Sequence, residues 1–285
     1  LGLEIESVKG RGYRIPGGID LLWDTDVRAA MGAQALNLLD QLELCDSIDS
    51  TNARAMAAIE AGRGRGYVCS AEQQSAGRGR RGRQWVSPYA RNLYLSAVWE
   101  YEGGAAVLEG MSLAVGVAVA RALTSLDQPS PQLKWPNDLL HDGRKLGGIL
   151  LEMTGDAAGT CQVVVGIGLN VAMPEATATD IDQAWTDLAR LSNGAQPGRS
   201  VLLGAILDQL LPLLAGFEEH GFAPWKDAWN ALDAYAGADV ILHSGSRQMA
   251  GVARGVDARG ALQLETATTG MQSVFGGEIS LRPAQ

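Results

Sequence analysis

The sequence predicts an α+β protein, with a central mixed-sheet domain over residues 21–235 and a small all-β domain over residues 236–285. Three observations carry this. With 46% hydrophobic and 19% charged residues, 285 positions can bury one large core and one or two small ones. Up to about residue 235, strand-like and helix-like apolar patterns succeed one another. After Tyr235 the pattern shortens to alternating strands with glycine turns every ~8–12 residues, the mark of a small barrel.

The elements follow in order. Residues 1–20 open inside an element: "LEIESV" alternates like a strand, "KGRG" is a basic turn and "YRI" the returning strand. This hairpin is expected to be the remnant of a removed or lost domain. A helical stretch from Thr25 leads to the strand "LELCDSI", and Asp49, Ser50 and Thr51 are capping candidates for an alanine-rich helix ended by Gly62. "GYVCSAEQQ" and "NLYLSAVWEY" read as strands, and residues 105–127 as one long apolar helix. "QLKWPNDLLHDGRKLGGILLEM" reads as a strand, a turn with an extended Trp135-Pro136, and a hairpin through Asp142-Gly143. "TCQVVVGIGLNV" is a buried strand, and helices are expected over 179–191 and 199–231.

Composition excludes several classes. The three cysteines are far apart and the three histidines lack ligand spacing, so neither a disulfide framework nor a metal site is predicted. No apolar run is expected to span a membrane and no signal peptide is visible, which predicts a cytoplasmic protein. A net charge of −9 makes the chain a poor general binder of nucleic acid. Only four of its 23 basic residues are lysines, and where arginine is so preferred, a retained lysine suits a need for a compact, mobile ammonium.

Against that acidic background, "AGRGRRGRQW" (residues 76–85) places Arg78, Arg80, Arg81 and Arg83 among glycines. Its G-x-G-x-x-G spacing resembles a dinucleotide turn, but Val86 and Pro88 discourage the helix such a turn must open. What remains is a loop where bare backbone N–H groups approach an anion while arginine forks supply charge. Taken alone, the run is equally a solvated basic loop or a docking patch; "AEQQ" and Trp85 add amide recognition and a stacking surface. A second constellation, "KWPNDLL" and "GRKLGGILLE", gathers Lys134, Asn137, Asp138, Lys145 and Gly147-Gly148, types that phosphoryl and acyl-phosphate chemistry uses together.

"DSTN", "QQSAGRGRRGRQW", "NLYLS", "KWPND", "RKLGGIL" and "GIGLN", in this order, together resemble biotin protein ligase. The resemblance covers nearly the whole chain, including "GGEISLR" near its end, and the opening hairpin is similar to the wing of the winged-helix domain in bifunctional ligase-repressors. It implies a central domain of the biotin/lipoate ligase type and a C-terminal SH3-like barrel. It also implies two half-reactions: biotin and MgATP give biotinyl-5′-adenylate and pyrophosphate, and a lysine of a biotin carboxyl carrier protein then attacks the adenylate, releasing AMP. By the same resemblance, Ser50, Thr51, Asn52 and Gln74 hold the ureido head of biotin, with Arg78, Gly79, Arg80, Lys145 and Gly148 completing its site. Arg78, Arg80, Arg83, Trp85, Lys134, Asn137, Lys145 and Asn170 fall on the nucleotide side, with Trp85 against adenine. Lys145, Arg80 and Asp138 are the implied catalytic group, Asp138 orienting or deprotonating the incoming lysine. A homodimer on sheet edges is implied too, whereas a hairpin with only Lys9, Arg11 and Arg14 is expected not to bind DNA specifically. A lipoate or octanoate ligase, a repressor that uses the adenylate as a signal, and a non-catalytic nucleotide module stay open. The arginine loop and "DSTN" favour biotin, because a lipoyl pocket needs an apolar slot rather than ureido partners.

Overall fold

In the computed structural model, the described residues are 5–15, 18–177, 181, 183–244, 247–275 and 279–283. The opening hairpin pairs β1 (Glu6–Val8) with β2 (Gly12–Arg14). Two short helices, α1 (Asp24–Ala29) and α2 (Ala33–Leu38), lead to β3 (Gln41–Ile48). Helix α3 (Thr51–Glu60) starts where the Ser50 hydroxyl accepts the Ala53 N–H at 3.5 Å, as an N-cap should, and β4 (Tyr67–Gln74) then delivers the arginine loop. Strand β5 (Leu93–Tyr101) precedes α4 (Met111–Ser125), and β6 (Gln132–Lys134), β7 (Asp138–His141), β8 (Arg144–Gly155) and β9 (Cys161–Leu169) follow.

These strands form one seven-stranded sheet in the order β3-β4-β5-β9-β8-β7-β6, with β3 and β4 parallel and every other pair antiparallel. Helix α5 (Leu188–Leu191) is followed by α6 (Arg199–His220) and α7 (Lys226–Leu232). Helices α4 and α6 pack on each other and cover one face of the sheet, while α3 covers the other through Ala55, Ala58, Tyr67, Cys69, Val98 and Val164. The arrangement is the mixed-sheet architecture that the sequence predicts.

Three predicted elements need correction. The helix expected over 105–127 is broken, because Gly110 sits in the left-handed region at φ 72° and a Cβ there would lie 2.6 Å from Phe222. A 3-10 turn, Gly104–Leu108, precedes the break. The helix over 199–231 is likewise two, because α6 stops at Gly221 and a turn through Pro224 redirects the chain. Of the helix expected over 179–191, only α5 forms among the described residues; Trp185 instead bridges to Lys145 in the manner of a parallel strand. Residues 179, 180 and 182 of that segment lie outside the described residues.

The Trp135-Pro136 bond, read from sequence as an extended dipeptide, is cis and lies in the turn between β6 and β7. The membrane expectation is also revised. Gly104–Ser125 and Arg199–His220 are long and apolar enough, by length and composition, to cross a membrane. Both stretches belong to the packed layer of α4 and α6, where most of their side chains are buried by protein.

The C-terminal strands β10 (Asp239–Ser244), β11 (Arg247–Val256), β12 (Leu262–Thr266), β13 (Gly270–Val274) and β14 (Ile279–Pro283) form an antiparallel sheet in the order β13-β12-β11-β10-β14. This is the small C-terminal β domain that the sequence predicts. Gly276, Gly277 and Glu278 of the "GGEISLR" motif lie outside the described residues. The domain is docked firmly: Val240, Leu242, Ala253, Val256, Leu262 and Leu264 join the main core, and Trp135 Nε1 donates to the Gly260 carbonyl at 3.1 Å. The turn that carries Asn137 and Asp138 is therefore braced from the C-terminal side.

Candidate functional site

A cleft of about 670 Å³ runs over the sheet between α3, the arginine loop and the β6–β7 turn. Ser50, Thr51, Asn52, Gln74, Arg78, Gly79, Arg80, Arg83, Trp85, Lys134, Asn137, Asp138, Lys145, Gly148 and Asn170 all line it. Every candidate site residue read from the sequence thus meets in one place, although they span more than a hundred positions.

One end of the cleft is a neutral hydrogen-bonding corner at the start of α3. Gln74 Oε1 accepts from the Thr51 N–H at 2.8 Å and from its hydroxyl at 3.2 Å, while Gln74 Nε2 donates to Ser87 Oγ at 3.2 Å. Ser96 Oγ lies 2.8 Å from Thr51 Oγ1 and 2.6 Å from Asn52 Oδ1. Asn52 reaches down to the sheet because β9 carries glycine beneath it: a Cβ at Gly166 would stand 2.2 Å from Asn52 Oδ1. Asn52 Nδ2 donates to Glu152 Oε2 at 2.6 Å.

The middle of the cleft holds its charge. The arginine loop is a tight hairpin, with Gly79 N–H donating to the Arg83 carbonyl at 2.7 Å and Trp85 N–H to the Gly77 carbonyl at 2.8 Å. A single 3-10 turn at Arg80–Gly82 reverses the chain and no α-helix follows these glycines, as Val86 and Pro88 require. Arg80 Nη1 donates to Asn137 Oδ1 at 3.0 Å. Burial, reinforced by Arg81 and opposed by Asp138, pulls the Arg80 guanidinium below its usual range. Lys145 Nζ meets Asp138 Oδ1 at 2.7 Å, with side chains only 15% and 19% exposed, and stands 5.6 Å from the Trp85 ring centre. The Trp85 indole lies on β8 and β9, where Gly148 and Gly168 leave room: a Cβ at Gly168 would sit 2.5 Å from its ring. Its Nε1 is buried and finds no partner among the described residues.

The far end is aromatic and basic. Lys134 Nζ stands 5.9 Å from the Tyr235 ring centre, and both residues line the cleft. Trp185, also in the lining, is fixed beside Lys145 by paired backbone bonds of 2.9 Å, and the Arg190 guanidinium stacks 3.9 Å from its ring centre. Asn170 braces this end, its side-chain amide donating to the Thr186 carbonyl at 3.1 Å.

The sequence reading missed Ser96, Glu152, Trp185 and Tyr235. A signal for Glu152 existed, since Gly148, Leu150 and Glu152 alternate along β8 and the first two line the cleft. Trp185 stands in a segment read as helix, and no local pattern there marks its pairing with Lys145.

Known proteins resemble this chain in both sequence and fold. Residues 44–170 match the biotin/lipoate A/B protein ligase family, and residues 237–282 match the biotin protein ligase C-terminal domain. The chain is 38% identical to the bifunctional ligase/repressor BirA of Escherichia coli over 100% of its own length and 85% of the relative's. Identity to the biotin–[acetyl-CoA-carboxylase] ligase of Paracoccus denitrificans is 37%, covering 81% of this chain and 96% of the relative. A solved biotin protein ligase from Aquifex aeolicus, in complex with biotin and ATP, superposes with a TM-score of 0.73 at 28% identity, covering 86% of this chain and 100% of that one.

Proposed function

This chain belongs to the biotin/lipoate A/B protein ligase family, and from that premise we propose how its cleft performs the ligase reaction. The reaction joins biotin to ATP as biotinyl-5′-adenylate and passes it to a lysine of the biotin carboxyl carrier protein of acetyl-CoA carboxylase. The observation that carries the residue assignment is the Lys145–Asp138 pair. It stands at the centre of the cleft, between the neutral corner at α3 and the aromatic, basic end.

Biotin is a neutral ureido head joined to an anionic tail. The head fits the corner of Ser50, Thr51, Asn52 and Gln74, where donors and acceptors are already oriented by Ser96, Ser87 and Glu152. The tail then points along Gly148 toward Lys145, and Trp85 walls the junction with a buried donor to spare. ATP occupies the other half, its triphosphate facing Lys134, Arg80, Arg83 and the arginine-loop backbone, its adenine against Trp85 and its adenosine flank toward Trp185 and Asn170. A carboxylate attacking the α-phosphorus approaches like charge, and negative charge spreads over the phosphate oxygens and the departing pyrophosphate. Lys145 and Arg80, pre-oriented by Asp138 and Asn137, stabilise that charge where it develops. In the second step a carrier lysine, with a free pKa near ~10.4, must arrive as the neutral amine. Asp138 is the carboxylate placed to orient or deprotonate it.

Biotin-dependent ATP–pyrophosphate exchange tests the first step, and label transfer to a carrier domain tests the second. A chain that supports exchange with lipoate and not with biotin would overturn the substrate assignment. Arg80→Gly is expected to release the adenylate more than it slows its formation, because the arginine loop closes over the intermediate and lids govern release. The variant should label bystander lysines; unchanged adenylate lifetime and unchanged selectivity would contradict the lid role.

A homodimer through the sheet edges belongs to the same proposal. The outer flank of β3, and that of β8 beyond its pairing with β7 at Gly148, carry no strand partner among the described residues. Such edges invite pairing. Sedimentation of the adenylate-loaded protein should show a dimer, and a monomer at every concentration would exclude it.

A further inference from the structure

We infer that Glu152, which lies outside the cleft lining, is the positioning residue that holds its biotin half together. The inference rests on the ligase reading above. Glu152 stands on β8 opposite Val164 of β9, and its carboxylate is shared by two elements that otherwise do not touch it in sequence. One oxygen accepts from Asn52 Nδ2 at 2.6 Å, at the first turn of α3. Arg78 Nη2, of the first arginine in the loop, lies 3.5 Å from that same oxygen, to which it donates, and 3.4 Å from the other. These partners are 100 and 74 residues away in the chain.

Geometry explains why a carboxylate is needed there. Asn52 is threaded between three strands: Ser96 of β5 contacts its oxygen at 2.6 Å, Gly166 of β9 leaves it space, and Glu152 of β8 takes its amide hydrogen. An amide so placed has its donor and acceptor fixed in direction, which in turn fixes the first turn of α3, where Thr51 grips Gln74. A neutral acceptor would satisfy Asn52 alone. A carboxylate also compensates Arg78, whose loop packs four like charges into six residues. The guanidinium has five N–H donors, so one bond to Glu152 leaves the rest to face the ligand. Arg78 remains about half exposed, at 48%, so the ion pair guides the loop and does not lock it. Through one side chain, the wall that receives the ureido head and the root of the loop that covers it hold a common register. The hydrogen bonds and ion pair of this carboxylate run to Asn52 and to Arg78 at the root of the loop, both beside the corner that receives the ureido head.

The test separates the two halves of the site. Glu152→Ala is expected to raise the KM for biotin in pyrophosphate exchange by about tenfold and the KM for ATP by less than about twofold, because a charge-assisted bond is lost on one side only. Glu152→Gln keeps an acceptor for Asn52 and loses the charge, so its biotin KM should lie between wild type and alanine. The Arg78→Ala, Glu152→Ala double variant should raise the biotin KM by less than the product of the single effects. Equal shifts in biotin and ATP KM, or a strictly multiplicative double variant, would overturn the inference. If the alanine variant does not fold, the glutamine variant decides: a biotin KM equal to wild type overturns it. A wild-type protein without biotin-dependent exchange would overturn the ligase reading itself, a failure distinct from that of Glu152.

Discussion

Lys145→Ala lowers biotin-dependent pyrophosphate exchange by on the order of 10²–10³, the loss typical of one pre-aimed stabiliser of developing charge. The Lys145 side chain is 15% exposed, with its ammonium 2.7 Å from Asp138 and flanked by the Trp85 ring. It therefore meets the reacting phosphate partly desolvated, where each charge counts for more than in water. Arginine is not an equivalent replacement: its planar fork holds its donors in fixed directions, where the compact ammonium can follow the moving charge. The fold should persist, since the Asp138 side chain left unpaired is 19% exposed and lines the open cleft. Circular dichroism and the thermal midpoint check that point, and exchange within a few-fold of wild type would remove Lys145 from the catalytic group.

Gly168→Val should be the most damaging change that touches no ionisable group. A Cβ at this position lies 2.5 Å from the Trp85 ring, closer than real contacts allow, and β9 is held by neighbours on both sides. The indole must leave, because a central strand yields less readily than a loop. Overpacking of this kind costs about 1–3 kcal/mol of stability. The larger effect falls on binding. Trp85 walls the junction of the two substrates, and loss of an aromatic surface against a base is worth about 1–3 kcal/mol, or roughly 5–150-fold in affinity. Calorimetric titration of ATP and of biotin should show both weakened, and wild-type affinity for both would mean that Trp85 borders no ligand. Gly166→Ala offers a milder companion, expected to spare ATP and weaken biotin, because the atom it displaces belongs to Asn52.

The motifs were legible because they are local. Ser50 caps α3 where the capping residues predict it, and Asp142-Gly143, both at positive φ, turns the hairpin from β7 to β8 as the dipeptide demands. The arginine loop could be freed from a dinucleotide reading by Val86 and Pro88 alone. Long apolar helices were legible as helices, yet not their interruptions. Gly110 and Gly221 are tolerable inside a helix by propensity, and only the docking of Phe222 against Gly110 makes the break necessary. The segment around Trp185 failed for a related reason. Its apolar pattern suits a short helix, but its backbone bonds are taken by Lys145, forty residues earlier.

By itself, the sequence determined the kinds of element, the order of the motifs and the chemical types brought to bear: an amide corner, an arginine loop on bare backbone, and a retained lysine. Tertiary structure decided which of these meet. Asn52 and Glu152 stand 100 residues apart, Arg80 and Asn137 57, and no periodicity within a helix or strand encodes such distances. The alternation along β8 puts Glu152 on one face of the sheet, but its partners depend on β9 lying between β5 and β8. That strand order is set by the burial of whole faces under α3, α4 and α6, a global balance of apolar surface to which each residue contributes and which none specifies alone.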